Sequence, residues 1–173
     1  LSEGAADRMC AYLKERWEKP GSRYHVMKEM FACLHKLEVL SADWPKKVRH
    51  YEKVLFGGGR KQYEALHQYR MPDKIAEQLL SYFIYVYFAG AVYDGMLYSK
   101  VKLAVISTML IEDMVCAKAA EKGQLSFEAI ADAAHSYARE VEHSDLNLQR
   151  LSIMFRHQKC FHIGRLCGAL LEW

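Results

Sequence analysis

The sequence predicts an all-α protein, a single-domain bundle of about seven helices around a buried, tyrosine-rich central helix. Apolar side chains recur at the three- and four-residue spacing of a helix face through most of the chain. Gly, Pro, Ser and Asp interrupt these stretches where helices begin and end. A chain of 173 residues that is 51% apolar and 26% charged is typical of a globular domain, which excludes global disorder and fibrous repeats.

The first two helices are predicted from their caps and from one long apolar stripe. Ser2 caps a helix over 2–19, and Pro20-Gly21 ends it. Ser22 caps the second helix. This helix is predicted over 22–40, because its apolar residues keep a helical period up to residue 40. These residues are Met27, Met30, Phe31, Leu34, Leu37 and Leu40. We expect this stripe to face the core.

A third and a fourth helix are predicted before the middle of the chain. The third begins near Trp44, and the fourth is a short helix that Met71-Pro72 ends. Three consecutive glycines, residues 57–59, separate the two helices. These glycines lack the preceding strand and the following Lys-Ser/Thr of a nucleotide-binding loop, so we interpret them as an interhelical connection. The residues predicted to face inward are Val48, Tyr51, Leu55, Tyr63, Leu66 and Tyr69.

The fifth helix carries the aromatic run in the middle of the sequence. It begins at Asp73 and includes residues 78–93, which carry no charge. Residues 82–88 have strand propensity, but no partner strand is evident, so we predict a buried helix. A membrane span needs roughly 20 apolar residues, so we expect no membrane segment. Asp94 ends the run and needs a cationic partner if it is buried, either Arg139 or a lysine.

Three further helices complete the predicted bundle. One extends over 96–122, and Gly123 ends it. Ser126 caps the next, over 126–141. Ser144 or Asp145 caps a last helix that continues toward residue 171. The residues predicted to face inward on the first two are Leu103, Ile106, Leu110, Met114, Phe127, Ile130, Ala134, Tyr137 and Val141.

The cysteine pattern argues against a secreted, disulfide-bonded protein. The five cysteines are odd in number and scattered, with no Cys-x-x-Cys pair. This pattern favours free thiols in a reducing compartment. His157, Cys160 and Cys167 share one helix side, but core cysteines and a surface histidine explain them more simply than a zinc site, so we expect no metal.

A dense polar segment, residues 139–147, precedes the last helix. Arg139 and His143 are four residues apart and share a helix face, and Glu142 and Asp145 are three residues apart. A carboxylate beside a histidine raises the pKa of the imidazole and orients its ring, which suits a general base. Capping of the next helix is the alternative explanation of these polar residues.

Two segments together resemble one known family. The first is LSYFIYVYF (80–88) with AVYDG (91–95), and the second is AREVEHSDLNL (138–148). Both resemble the C-terminal helical part of the flagellin lysine-N-methylase family. The first segment is similar to the central helix of that part, and the second is similar to its Ser/Ala-Arg-x-x-Glu-His-Ser/Asn signature. The resemblance extends over residues 22–155 and is specific over 78–150.

The resemblance implies a bacterial cytoplasmic enzyme that methylates lysine side chains of flagellin with S-adenosylmethionine. It also implies an iron–sulfur cluster on an N-terminal set of cysteines that this sequence lacks, so residues 1–173 are expected to be the C-terminal portion of a longer protein. Glu142 and His143 are the candidate catalytic residues, because either can accept the proton of the lysine amine. The candidates for binding substrate or cofactor are Tyr93, Asp94, Arg139, Asp145 and Asn147.

Two other functions stay open. The eleven tyrosines suit a non-enzymatic helical module that binds a partner protein or a small apolar ligand. The basic residues between 46 and 61 suit nucleic acid, but no nucleic-acid motif accompanies them, and we expect a solvated helix face instead. Convergence of the polar segment with Asp94 in a cleft would favour the enzyme, and a sealed ion-pair cluster beside an open tyrosine groove would favour the module.

Overall fold

The computed structural model describes residues 23–171 together with Gly4, Arg8 and Ala11. Within these residues the chain forms nine α-helices and two short 3-10 turns, and no strand. The helices are α1 (Arg23–Leu34), α2 (Trp44–Phe56), α3 (Gly59–Leu66), α4 (Asp73–Phe88), α5 (Ala91–Asp94), α6 (Leu97–Lys122), α7 (Phe127–Val141), α8 (Asp145–His157) and α9 (Ile163–Leu171). The all-α prediction is confirmed, with slightly more helices than predicted. The helix predicted over 2–19 falls almost entirely outside the described residues, and the single-domain organisation stays a prediction.

Helix α6 is the centre of the bundle. Its inward residues Leu103, Ile106, Leu110 and Met114 are buried, as predicted. Helices α4, α7, α8 and α2 all pack against it. Gly123 ends the helix with φ +70°, in the left-handed conformation that glycine adopts without strain. The helices that form the candidate site are therefore arranged around α6.

The helices on either side of the polar segment begin at the predicted serines. The Ser126 side chain accepts the N–H of Ala129 at 3.2 Å, and the Ser144 side chain accepts the N–H of Asn147 at 3.1 Å. Phe127, predicted to face inward, is exposed instead. The buried residues of α7, from Ala129 to Val141, lie on one face of the helix around Tyr137. Phe127 lies at the edge of that face.

Helix α4 carries the aromatic run but is not the buried central helix that the sequence predicts. It is helical, as expected, yet Phe83 is the only one of its residues that is fully buried. Tyr82, Tyr85 and Val86 are exposed, because α4 packs against α6 along one side. Tyrosine tolerates such a position, since its ring is apolar and its hydroxyl can stay in water. Among the described helices, none is long and apolar enough to cross a membrane.

Helix α1 is shorter than its apolar stripe predicts. It ends at Leu34; Leu37 is still buried, but Leu40 is exposed. Side chains from the far end of the sequence bind the backbone that would have continued the helix. Asn147 accepts the N–H of Glu38 at 2.6 Å, and Glu140 accepts the N–H of Leu40 at 3.0 Å. The chain therefore turns away after residue 34.

The helix predicted from residue 144 toward residue 171 is interrupted. Gln158 has an extended backbone, with φ −96° and ψ 134°, and a 3-10 turn separates α8 from α9. Cys33 of α1 donates to the side-chain oxygen of Gln158 at 2.9 Å. The turn buries Cys160 and Phe161 against the core. Packing against α1 therefore divides one predicted helix into two.

Candidate functional site

An open cleft of about 350 Å³ lies where α8 meets the end of the hairpin formed by α4 and α6. Its volume is at the lower end of the range for ligand sites, roughly 300–1,000 Å³. Two carboxylates, Asp94 and Asp145, face this cleft from segments that are far apart in the sequence. The cleft is lined by Tyr87, Asp94, Met96, Ser99, Lys100, Leu103, Asp145, Leu148, Gln149, Ser152 and Phe155. Two of the predicted binding residues therefore converge.

Asp94 is held at the edge of the cleft by the turn that joins α5 to α6. One oxygen of its carboxylate accepts the N–H of Met96 at 2.8 Å, and the other pairs with Lys100 at 3.0 Å. Gly95, with φ +66°, makes the turn possible. The hydrogen bond from Met96 and the ion pair with Lys100 lower the pKa of Asp94, so the carboxylate is ionised at neutral pH. The predicted lysine partner of Asp94 is thus Lys100.

Asp145 enters the cleft from the first turn of α8. It follows the capping residue Ser144, and a carboxylate at a helix N-terminus is stabilised by the helix dipole. The other end of α8 is tied to α6 by Lys102, whose buried ammonium donates to the carbonyl of Phe155 at 2.9 Å. The two walls of the cleft are therefore fixed relative to each other.

Glu142 lies behind the cleft wall and does not line it. Its carboxylate accepts the hydroxyl groups of Tyr82 and Tyr87, each at 3.0 Å. Burial and the neighbouring carboxylate both raise the pKa of Tyr87, so its hydroxyl stays protonated as a donor. Tyr87 also lines the cleft. Glu142 is thus positioned to orient a cleft residue through a hydrogen bond.

Arg139 and Asn147 lie in a separate cluster that holds the loop after α1. The buried Asn147 accepts the N–H of Glu38 at 2.6 Å and donates to the carbonyls of Glu38 at 2.9 Å and Glu140 at 2.7 Å. Arg139 donates to Ser41 on the same loop. We call these contacts the loop clamp. The structure places Arg139 and Asn147 away from the cleft lining, and their binding roles stay predictions.

Replacing Asn147 by alanine is expected to lower the free energy of unfolding by about 2 kcal/mol, because three partners lose their hydrogen bonds. Urea denaturation measures this loss. The control is Gln62→Ala, which truncates an exposed amide side chain on α3 and is expected to change the free energy of unfolding little. Equal stability of the alanine variant and the wild type would contradict a clamping role.

His143 and Tyr93, the other two candidates, do not line the cleft. The His143 side chain is exposed at the junction between α7 and α8. Tyr93 is 93% exposed beside Asp94. The candidate residues thus divide into two that line the cleft, one behind its wall, two in the loop clamp and two on the surface. Their catalytic and binding roles stay predictions.

Several lining residues escaped the sequence interpretation. Gln149 and Ser152 follow Asp145 by four and seven residues, so they share its helix face, and that spacing is a signal that can find them. Lys100 and Tyr87 lie on either side of Asp94 in the sequence but give no such signal. The buried Glu140 lies within the polar segment, and only the structure shows that it binds Leu40.

The residues of the cleft fit a positively charged group, such as an ammonium or the sulfonium of a methyl donor. Asp94 and Asp145 supply negative charge, and Tyr87 supplies an aromatic ring, both of which attract cations. An iron–sulfur cluster does not fit the described cysteines. Cys33, Cys116, Cys160 and Cys167 are free thiols, and no group of three or more metal-binding side chains comes together among the described residues.

Comparison with models of known protein families gives a match that spans most of the chain. The sequence model of the family described as FliB lysine N-methylase C-terminal domain matches residues 3–169. No curated protein and no solved structure matches the chain. The matched range includes both the cleft and the loop clamp, so the family match and the candidate site concern the same part of the molecule.

Proposed function

Because the chain belongs to the FliB lysine N-methylase C-terminal domain family, we propose that it is the helical domain of a bacterial, cytoplasmic protein-lysine N-methyltransferase. Its substrate is flagellin, and its methyl donor is S-adenosylmethionine. The observation that supports this proposal beside the family match is the cleft, in which Asp94 and Asp145 face an apolar lining. The sequence resemblance over residues 78–150 points to the same substrate.

The cleft suits a lysine side chain. The two carboxylates attract the ammonium group, and their combined charge exceeds that of the single lysine that lines the cleft, Lys100. Leu103, Leu148 and Phe155 offer apolar surface to the hydrocarbon part of the side chain. Such a site holds the amine in one position, and positioning of the reactants lowers the barrier of a two-substrate reaction.

S-adenosylmethionine supplies a methyl group on a positively charged sulfur. The chain's own residues position the amine and receive its proton, since only the neutral amine is a nucleophile. Asp94 and Asp145 reach the cleft directly, and Glu142 reaches it through the hydroxyl of Tyr87. His143 is exposed nearby and can pass a proton to solvent. We propose Glu142 and His143 as proton acceptors on this basis.

The substitution Asp145→Asn is expected to raise KM for flagellin about 10-fold and to change kcat little, because a charged partner of the substrate ammonium is lost. Transfer of a labelled methyl group by the full-length protein measures both constants. The control is Glu128→Gln, which neutralises an exposed carboxylate on α7 outside the cleft. Unchanged KM in both Asp145→Asn and Asp94→Asn would contradict lysine binding in the cleft.

A non-enzymatic module that binds a partner protein is the second candidate function. The exposed tyrosines of α4 and α5 favour it, because aromatic side chains are enriched at interfaces. The same assay distinguishes the two functions. Methyl transfer to flagellin by the full-length wild-type protein supports the enzyme, and binding of flagellin without transfer favours the module.

A further inference from the structure

The cleft already holds a positive charge of its own, the ammonium of Lys100. This lysine lies in the first turn of α6 and lines the cleft, and its Nζ pairs with Oδ2 of Asp94 at 3.0 Å. The end of its side chain also lies against Gly90, where an added Cβ would contact Cε and Nζ at 3.9 Å. The ammonium is therefore held at the cleft wall instead of extending into solvent.

The two oxygens of the Asp94 carboxylate have different partners. Oδ1 accepts the N–H of Met96 at 2.8 Å, inside the turn between α5 and α6. This hydrogen bond holds the carboxylate independently of Lys100. Oδ2 faces Lys100, so it is the oxygen that a ligand in the cleft can use. A cation that enters the cleft and binds Asp94 thus meets an oxygen that is already paired.

The ion pair between Lys100 and Asp94 is weak enough to be exchanged. The two side chains are 23% and 38% exposed, and pairs in contact with water contribute little to stability. A positive charge in the first turn of a helix also opposes the helix dipole, so the charge of Lys100 does not stabilise α6. Its ammonium is carried on a flexible four-carbon chain, which can move into solvent while the backbone stays in place. Exchange of this ammonium for that of a ligand therefore costs the fold little.

We propose that Lys100 is an internal competitor of the substrate lysine, because it occupies the ammonium position at Asp94 until the substrate displaces it. The substrate ammonium then binds Oδ2 of Asp94, and the side chain of Lys100 moves into solvent. The apparent affinity for the substrate is lowered by the fraction of molecules in which Lys100 covers Asp94. This inference rests on the proposed function and names the residue that sets the affinity of the cleft for its substrate.

The test is the variant Lys100→Met in the full-length protein, which removes the charge and keeps an unbranched side chain. Lys118→Met is the matched control, because Lys118 lies on the same helix, is 21% exposed, pairs with Asp132 and does not line the cleft. Lys100→Gln repeats the removal of charge with a polar side chain and guards against a folding defect of the methionine variant. Binding of monomeric flagellin by biolayer interferometry gives Kd, and transfer of a labelled methyl group gives KM.

Both Kd and KM for flagellin are expected to fall about 3-fold in Lys100→Met, and the control is expected to match wild type. A damaged fold or a lost positioning contact raises these constants, so a fall distinguishes competition from a structural role. Unchanged or raised Kd and KM in both Lys100 variants would overturn the inference and leave the proposed function intact.

A second measurement locates the competition at Asp94. In the Asp94→Asn background, Lys100→Met is expected to lower Kd less, because Lys100 no longer covers a charged oxygen. An equal fall in both backgrounds would assign the effect to repulsion through space and overturn the inference. Absence of methyl transfer by the wild type would overturn the proposed function, and the inference with it.

Discussion

The substitution Asp113→Asn is expected to lower the free energy of unfolding by about 3 kcal/mol, since removing one partner of a buried ion pair is strongly destabilising. Asp113 is fully buried in α6, where its carboxylate accepts the hydroxyl of Tyr63 at 2.7 Å and the guanidinium of Arg23 at 3.0 Å. Burial alone would lower the pKa of Arg23, but the facing carboxylate outweighs it and the pKa is raised. In the variant, the buried guanidinium faces a neutral amide at this position and keeps its contact with Glu112 at 3.4 Å.

Urea denaturation measures this loss, and two further variants show whether charge is the cause. Asp132→Asn removes an exposed carboxylate that pairs with Lys118, and its expected cost is below about 1 kcal/mol. The double variant Arg23→Met with Asp113→Asn removes both charges, while the amide oxygen can still accept the hydroxyl of Tyr63, and it is expected to regain part of the lost stability. Equal stability of Asp113→Asn and Asp132→Asn would contradict the role of this cluster.

The sequence correctly predicted the helix ends that are set by residues close to them in the chain. Ser126 and Ser144 cap α7 and α8, and Gly123 ends α6, because a side-chain oxygen or a positive φ acts within a few residues of its position. The inward face of α6 was predicted correctly for the same reason. Its apolar residues recur at helical spacing, and the helix is buried on nearly every side.

The features that the sequence did not predict depend on contacts between residues that are far apart in the chain. α1 ends early because Asn147 and Glu140 bind the backbone of the following loop. α4 is exposed because burial depends on how many helices pack against it, and an apolar run does not contain that information. In the candidate site, the spacing around Asp145 indicates its helix face, but only the fold brings Asp94 to the same cleft.

The free energy of unfolding is expected to fall by about 3 kcal/mol between pH 5 and pH 8, because one buried group, Glu112, loses its proton over this range. Burial raises the pKa of its carboxyl from 4.5 to about 7; Arg23 lowers the pKa, and Asp113 raises it. Because the folded pKa is above the unfolded one, the stabilising contribution is complete below pH 4.5 and is lost as the pH rises through 7. More weakly, Arg70 lowers this pKa and Asp73 raises it.

The substitution Glu112→Gln is expected to remove this dependence, because glutamine has no proton to release. Unfolding free energies from urea titrations at pH 5, 6, 7 and 8 should decline for the wild type and should not decline for this variant, because burial lowers the pKa of His67 and that shift favours the folded state as the pH rises. Glu128→Gln, at an exposed position on α7, is the matched control and should retain the wild-type decline. A decline of the same size in Glu112→Gln would assign the pH dependence to another group. Because Glu112 and Asp113 both face Arg23, the variant also shows whether that guanidinium needs one carboxylate or two.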